Sequence, residues 1–178
     1  MCSSDLIDRI AQRRLDAAIA VVIADKELAF GLKRAADAGL PHAHLREPAA
    51  IWRSLRDHRV DLVCLCGYLR LLPIERDYAG RVLNIHPSLL PRHGGKGMYG
   101  HHVHEAVLAA GDRESGCTVH LCTDEYDRGD VLVQQRVPVL PGDTPDALAA
   151  RVFAAECEAY PLAIERLWQQ LGASHRRG

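Results

Sequence analysis

The chain has 178 residues, 48% of them hydrophobic and 25% charged, which is enough for one domain with a sizeable core. A formal net charge of -1 supplies no general basic field, which argues against a dedicated nucleic-acid or membrane-surface binder and points to small-molecule ligands. No apolar stretch approaches the ~20 residues that span a bilayer, and the opening MCSSDLIDRI lacks the basic and apolar regions of a signal peptide, so a cytoplasmic location is expected.

In chain order, Ala17 to Ile23 (AAIAVVI) is a continuous apolar run of the kind a strand covered on both faces needs. Leu28 to Ala38 follows with helical spacing and stops at Gly39. His42 to Leu45 reads as a short strand, Pro48 opens a helix reaching about His58, and Val60 to Cys66 (VDLVCLC) is a second apolar strand. A short helical element near Pro73 to Tyr78 precedes the strand Arg81 to His86. The glycine-rich loop GGKGMYG (Gly94 to Gly100) then leads into a helix over about His101 to Ala110. Gly116 to Thr123 and Val131 to Val139 are strands joined by the turn DEYDRGD, and an amphipathic helix from about Thr144 to Leu171 closes the pattern. With no internal repeat and no linker-like tract, this predicts one α/β domain over residues 1–178. Its central sheet is expected to be mostly parallel and flanked by helices, with antiparallel strands added by the late pair.

The stretch Asn84 to Pro91, NIHPSLLP, carries the chemistry. Side chains alternate along a strand, so Asn84 and His86 share a face while Ile85 points into the opposite layer. Pro87 ends the strand and leaves His86 at its carboxyl end, where α/β sheets keep their sites. Such a pair also suits a strand end whose polar groups bond to neighbouring loops. Two further strand ends lead into GYLRLLP and TDEYDRGD, so an amide, an imidazole and carboxylates gather at one rim. That set suits acyl-type transfer: the histidine manages protons, the carboxylate tunes it, and the amide stabilises an oxyanion. The six cysteines lack C-x-x-C spacing and read as buried thiols. His101 and His104 share a helix face at a spacing compatible with a metal, yet no further ligand cluster is evident and no metal is expected. Lys96 in the glycine-rich loop is either solvated or within reach of an anion.

Taken together, GYLRLL, LNIHPSLLP, HEAVLAAGDRESGCTVH and TDEYDRGDVLVQ resemble the folate-dependent formyltransferases over nearly the whole chain. The string HPSLLP points within them to the branch acting on glycinamide ribonucleotide in purine biosynthesis. The resemblance implies a Rossmann-like formyltransferase fold, 10-formyltetrahydrofolate as co-substrate and no metal. It assigns Asn84, His86 and Asp127 to catalysis, and Leu69, Arg70, Leu72 and Thr123 to folate binding, largely through backbone groups. His120 is implied to orient the trio, and Glu156 to hold the ribose hydroxyls. Without the resemblance, Glu156 reads as an exposed helix carboxylate. Small-molecule substrates and a monomer or homodimer are expected, with no nucleic acid and no membrane.

One departure lies at the front. Family members begin with an apolar strand and a phosphate-binding turn, whereas MCSSDLIDRI matches only the end of that turn and the helix after it. Ser4 and Asp5 then stand at the substrate phosphate, and Asp5, in place of an amide, would repel it. Two neighbouring strands would also lack a ladder partner. The readings that follow are a formyltransferase, a non-catalytic folate-binding relative, and a hydrolase that gives the formyl group to water.

Overall fold

The computed structural model describes the backbone of residues 2–175 and the side chains of residues 6–172. Helix α1 (Cys2–Ala11) is followed by strand β1 (Val22–Ala24), helix α2 (Phe30–Asp37), strand β2 (His42–His44), helix α3 (Pro48–Asp57) and strand β3 (Val63–Leu65). A 3-10 turn (Arg76–Tyr78) leads into β4 (Val82–His86) and α4 (His101–Ala109). The strand pair β5 (Glu114–Leu121) and β6 (Val131–Pro138) comes next, and then the long helix α5 (Pro145–His175).

Local sequence sets these boundaries. Gly39 ends α2 at a φ of 67°; its N–H bonds the Ala36 carbonyl and the Leu40 N–H bonds the Ala35 carbonyl, which closes the last turn. Pro48 starts α3, where its missing N–H costs nothing. Thr144 caps α5, its Oγ1 accepting the Ala147 N–H at 3.2 Å. The apolar run from Ala17 is assigned as strand only over Val22–Ala24, the residues that pair with β2.

The expectation of a mostly parallel sheet is overturned. In the larger, four-stranded sheet, ordered β3-β4-β5-β6, only β3 and β4 run parallel; β4–β5 and β5–β6 are antiparallel. The cause is the excursion between β4 and β5. His86 at the end of β4 lies opposite Thr118, the first residue of β5 to pair with β4, so loop and helix return the chain to the end of the sheet it left. Helix α4 is therefore no crossover of the βαβ kind. Strands β1 and β2 form a separate parallel pair. Among the described residues, β1 and β3 each have a ladder partner on one side only.

Alternation along β4 divides the core. Leu83 and Ile85 face α5, joining Cys117 and Val119 of β5 and Tyr160, Ala163 and Leu167 of the helix. Val82 faces the other way, with Val63, Trp52 and Leu55 of α3, Leu72 and Tyr78. The buried Tyr160 hydroxyl lies 2.9 Å from the Leu65 carbonyl and 3.2 Å from that of Leu83, which pins α5 to both β3 and β4. No helix among the described residues is long and apolar enough to cross a membrane.

Where β5 passes β6, Gly116 leaves no space for a side chain: a Cβ there would lie 1.9 Å from the Gln135 carbonyl oxygen and 2.7 Å from Leu89 Cδ2. Gly116→Ala is expected to destabilise the chain by about 3 kcal/mol. That corresponds to roughly 6–12 °C in Tm, read by calorimetry; an unchanged Tm would contradict the packing described.

Candidate functional site

The site grows from the register of β4 on β5. Asn84 pairs with His120 and His86 with Thr118, so all four side chains stand on the face opposite α5. A bulge follows at once: Val119 pairs with Val133 but His120 with Val131, which interrupts the ladder beside His120. Beyond β5 the chain turns through residues 122–130 and brings Asp127 back over this face, at a φ of 55° that few residues other than glycine adopt.

Asn84, His86, His120 and Asp127 meet in one group. Asp127 lies between two imidazoles, with Oδ2 3.4 Å from His86 Nδ1 and Oδ1 3.5 Å from His120 Nε2. The Gly95 N–H donates to Oδ2 at 2.8 Å. His120 Nδ1–H donates to the Leu121 carbonyl at 2.9 Å, which leaves Nε2 to accept from Asn84 Nδ2 at 3.2 Å. One amide N–H of Asn84 is thereby anchored and the other remains available. His86 and His120 are both buried.

Electrostatics follow from that burial. His86 is held below the ordinary 6.5, burial outweighing the opposing pull of Asp127 and of the His93 carbonyl. Burial by itself would raise the Asp127 carboxyl. The His120 ring, the His86 charge and the Gly95 N–H more than offset it, and the group lies below the usual 3.8. A buried His104 on α4 is likewise lowered, by burial and then by His101 and His86.

The remaining sequence-predicted residues are distributed around this group. Thr123 stands in the same turn as Asp127, where its Oγ1 accepts the Glu125 N–H at 3.2 Å. Asp124 Oδ1 accepts the Ile74 N–H at 3.2 Å, tying that turn to the segment carrying Leu69, Arg70 and Leu72. Leu72 is buried in the core against α3, so only its backbone is free to meet a ligand. Leu69 is exposed, and Arg70 donates to the Arg46 carbonyl at 3.2 Å. A recess of about 410 Å³ opens beside the turn, lined by Ile74, Gly80, Cys122, Thr123 and Arg128 among others, and not by the trio. Glu156 is not part of the group: it sits on α5 beside Cys117, on the opposite face of β5, and burial raises it to about 7. The side chains of Ser4 and Asp5 lie outside the described residues.

His101 and His102 pair with carboxylates, His101 with Glu105 and Asp146 and His102 with Glu105. No cluster of three metal-ligating side chains occurs among the described residues. Sequence reasoning missed that the glycine-rich loop bonds to the trio. Its start lies against the trio, with the Gly95 N–H on Asp127 and the His93 carbonyl 2.8 Å from His86 Nε2. Backbone donors and acceptors carry no residue signature.

The lowered histidines give the fold a pH dependence. A group whose folded value lies below its unfolded one contributes stability above the unfolded value and loses it as pH falls through the folded value. For His86 and His104 that loss begins near 6.5; for Asp127 it begins near 3.8. The urea midpoint is expected to fall as pH drops from about 7 to 5, and His86→Gln to flatten part of that fall. An equally steep fall in the variant would contradict the assignment.

Comparison with known proteins bears on this geometry. A family profile described as formyl transferase matches residues 1–164. The chain is 39% identical over 170 residues to phosphoribosylglycinamide formyltransferase of Escherichia coli (strain K12), covering 89% of this chain and 78% of that protein. It is 40% identical over 175 residues to the trifunctional purine biosynthetic protein adenosine-3 of Drosophila melanogaster, covering 91% of this chain but only 13% of that much longer protein. The crystal structure of glycinamide ribonucleotide transformylase 1 from Symbiobacterium toebii superposes with a TM-score of 0.83 at 38% identity, over 91% of this chain and 81% of that one. The chain therefore belongs to the formyl transferase family, and within it to the phosphoribosylglycinamide formyltransferases.

Proposed function

We propose that this chain transfers the formyl group of 10-formyltetrahydrofolate to the amine of glycinamide ribonucleotide, acting in the cytoplasm on small molecules. The observation that carries the reading is the meeting of Asn84, His86 and Asp127 on one face of β4 and β5, in a chain so similar to enzymes named for this reaction.

The substrate amine attacks the formyl carbon, a C–N bond forms, and negative charge develops on the formyl oxygen. The unanchored Asn84 N–H and protonated His86 donate to that oxygen as its charge grows. Asp127 favours the imidazolium and takes up the proton that the attacking nitrogen sheds. As the formyl carbon separates from N10 of the folate, that proton passes to N10 and the charges balance. Folate is held between the segment carrying Leu69 to Leu72 and the turn at Thr123, mainly by backbone groups. Glu156, its carboxyl raised by burial to about 7, is the residue that would hold the sugar hydroxyls.

The test follows tetrahydrofolate release from 10-formyltetrahydrofolate, with and without glycinamide ribonucleotide. Turnover is expected to require the acceptor, and Asn84→Ala to lower kcat ~100- to 1000-fold. Release at the same rate without acceptor would make the chain a hydrolase. No release from folded protein would make it a non-catalytic relative, and full activity in Asn84→Ala would remove the amide from the mechanism.

A further inference from the structure

His86 has a second attachment that the reaction scheme does not explain. Its Nε2 lies 2.8 Å from the carbonyl oxygen of His93. A carbonyl only accepts, so Nε2 carries the proton, and in the neutral ring Nδ1 is bare and faces Asp127. The tautomer is thus set by one backbone oxygen, on a loop residue with a φ of 52°. A histidine in that conformation persists only where its surroundings hold it.

Those surroundings are specific. His93 Nε2–H donates to Asp112 Oδ2 at 2.7 Å, and Arg92 binds Oδ1 of the same carboxylate at 2.6 Å. Asp112 is buried at its side chain (8% exposed) and sits in the turn after α4. The loop before it is clamped as well: Ser88 Oγ donates to the Arg92 carbonyl at 2.6 Å and Thr118 Oγ1 to the Ser88 carbonyl at 2.7 Å. These bonds fix where the loop runs. The His93 side chain ties down the residue whose carbonyl meets His86.

We propose that the His93–Asp112 pair is a positioning device for His86, holding the His93 carbonyl on Nε2 so that Nδ1 is the nitrogen that gains and loses the proton. This rests on the formyl-transfer reading and deepens it. With Nε2 committed to the loop, the proton offered to the formyl oxygen comes from Nδ1–H. The same nitrogen faces Asp127 at 3.4 Å, too long for a full hydrogen bond. Nδ1–H is therefore shared between carboxylate and substrate instead of being spent on the carboxylate. The groups facing His86 are then Asp127 and His120 on one side, His104 from α4, and His93 from the loop. Neither His93 nor Asp112 touches substrate in this scheme.

The test is His93→Asn, because asparagine tolerates the left-handed backbone but is too short to reach Asp112. His93→Gln, whose amide nitrogen can replace Nε2, is the rescue. The first readout is the imidazole nitrogen spectrum of His86 by long-range proton–nitrogen NMR on the full chain without substrate, which does not depend on activity. A single Nε2–H tautomer is expected in the wild type and in His93→Gln, and a mixture of tautomers in His93→Asn. The second readout is the kcat–pH profile. His93→Asn is expected to lower kcat ~10- to 100-fold with KM unchanged and to shift the profile, and His93→Gln to restore both. Asp112→Asn provides the same test from the other partner if His93→Asn does not fold. A wild-type tautomer in both disrupting variants would overturn the proposal even in an active enzyme. The expected tautomer change in a chain that transfers no formyl group would sustain the positioning and overturn only the reaction assigned to it.

Discussion

Every feature of the site depends on the register of β4 against β5. Setting Asn84 opposite His120 and His86 opposite Thr118 puts an amide, two imidazoles and a hydroxyl on one face, and leaves Leu83, Ile85, Cys117 and Val119 to pack against α5. A slip of one residue would drive the polar set into the core and the apolar set into the cleft. The hydrophobic burial that stabilises the domain therefore also specifies the site. Tyr160 reinforces this from the far side through the carbonyls of Leu65 and Leu83.

A second layer consists of backbone groups aimed by side chains. Thr118 uses its full hydrogen-bonding capacity, two bonds on the loop after β4 and one on β6: it donates to the Ser88 carbonyl and accepts from the Leu90 N–H and from Gln134. Gln134 comes from β6, directly across from Thr118. The loop so held contributes one acceptor to His86 and one donor to Asp127. Both bonds satisfy buried charged or chargeable atoms that would otherwise be costly to desolvate.

Legibility in the sequence divided along physical lines. Strands and helices alternate as apolar periodicity predicts, and NIHPSLLP announced a shared face and a strand end because alternation and proline act locally. Strand direction was misread, since helical periodicity at His101–Ala109 does not encode the end of the sheet to which the chain returns. The long run from Ala17 was overread for a related reason. Apolar character marks a segment fit for a sheet, but the ladder extends only where a partner runs alongside, here His42–His44. The approach of Asn84 to His120 followed from the two strands once they were paired. His93 and Gly95 act on the trio through main-chain atoms, which any residue would present.

The division of the strands into two sheets has a consequence for how the molecule opens. Strands β1 and β2 are each three residues long and form a sheet by themselves, whereas β5 and β6 are each eight residues long and lie beneath α5. An isolated two-stranded pair is marginal in water, so its amides exchange with solvent through small local openings, while those of β5 and Tyr160's stretch of α5 exchange only when the whole domain unfolds. Asn84, His86 and His120 stand on β4 and β5 of the larger sheet, and Asp127 on the turn that leaves β5. Three of the four groups of the site are thus built on the larger sheet, away from the short front pair.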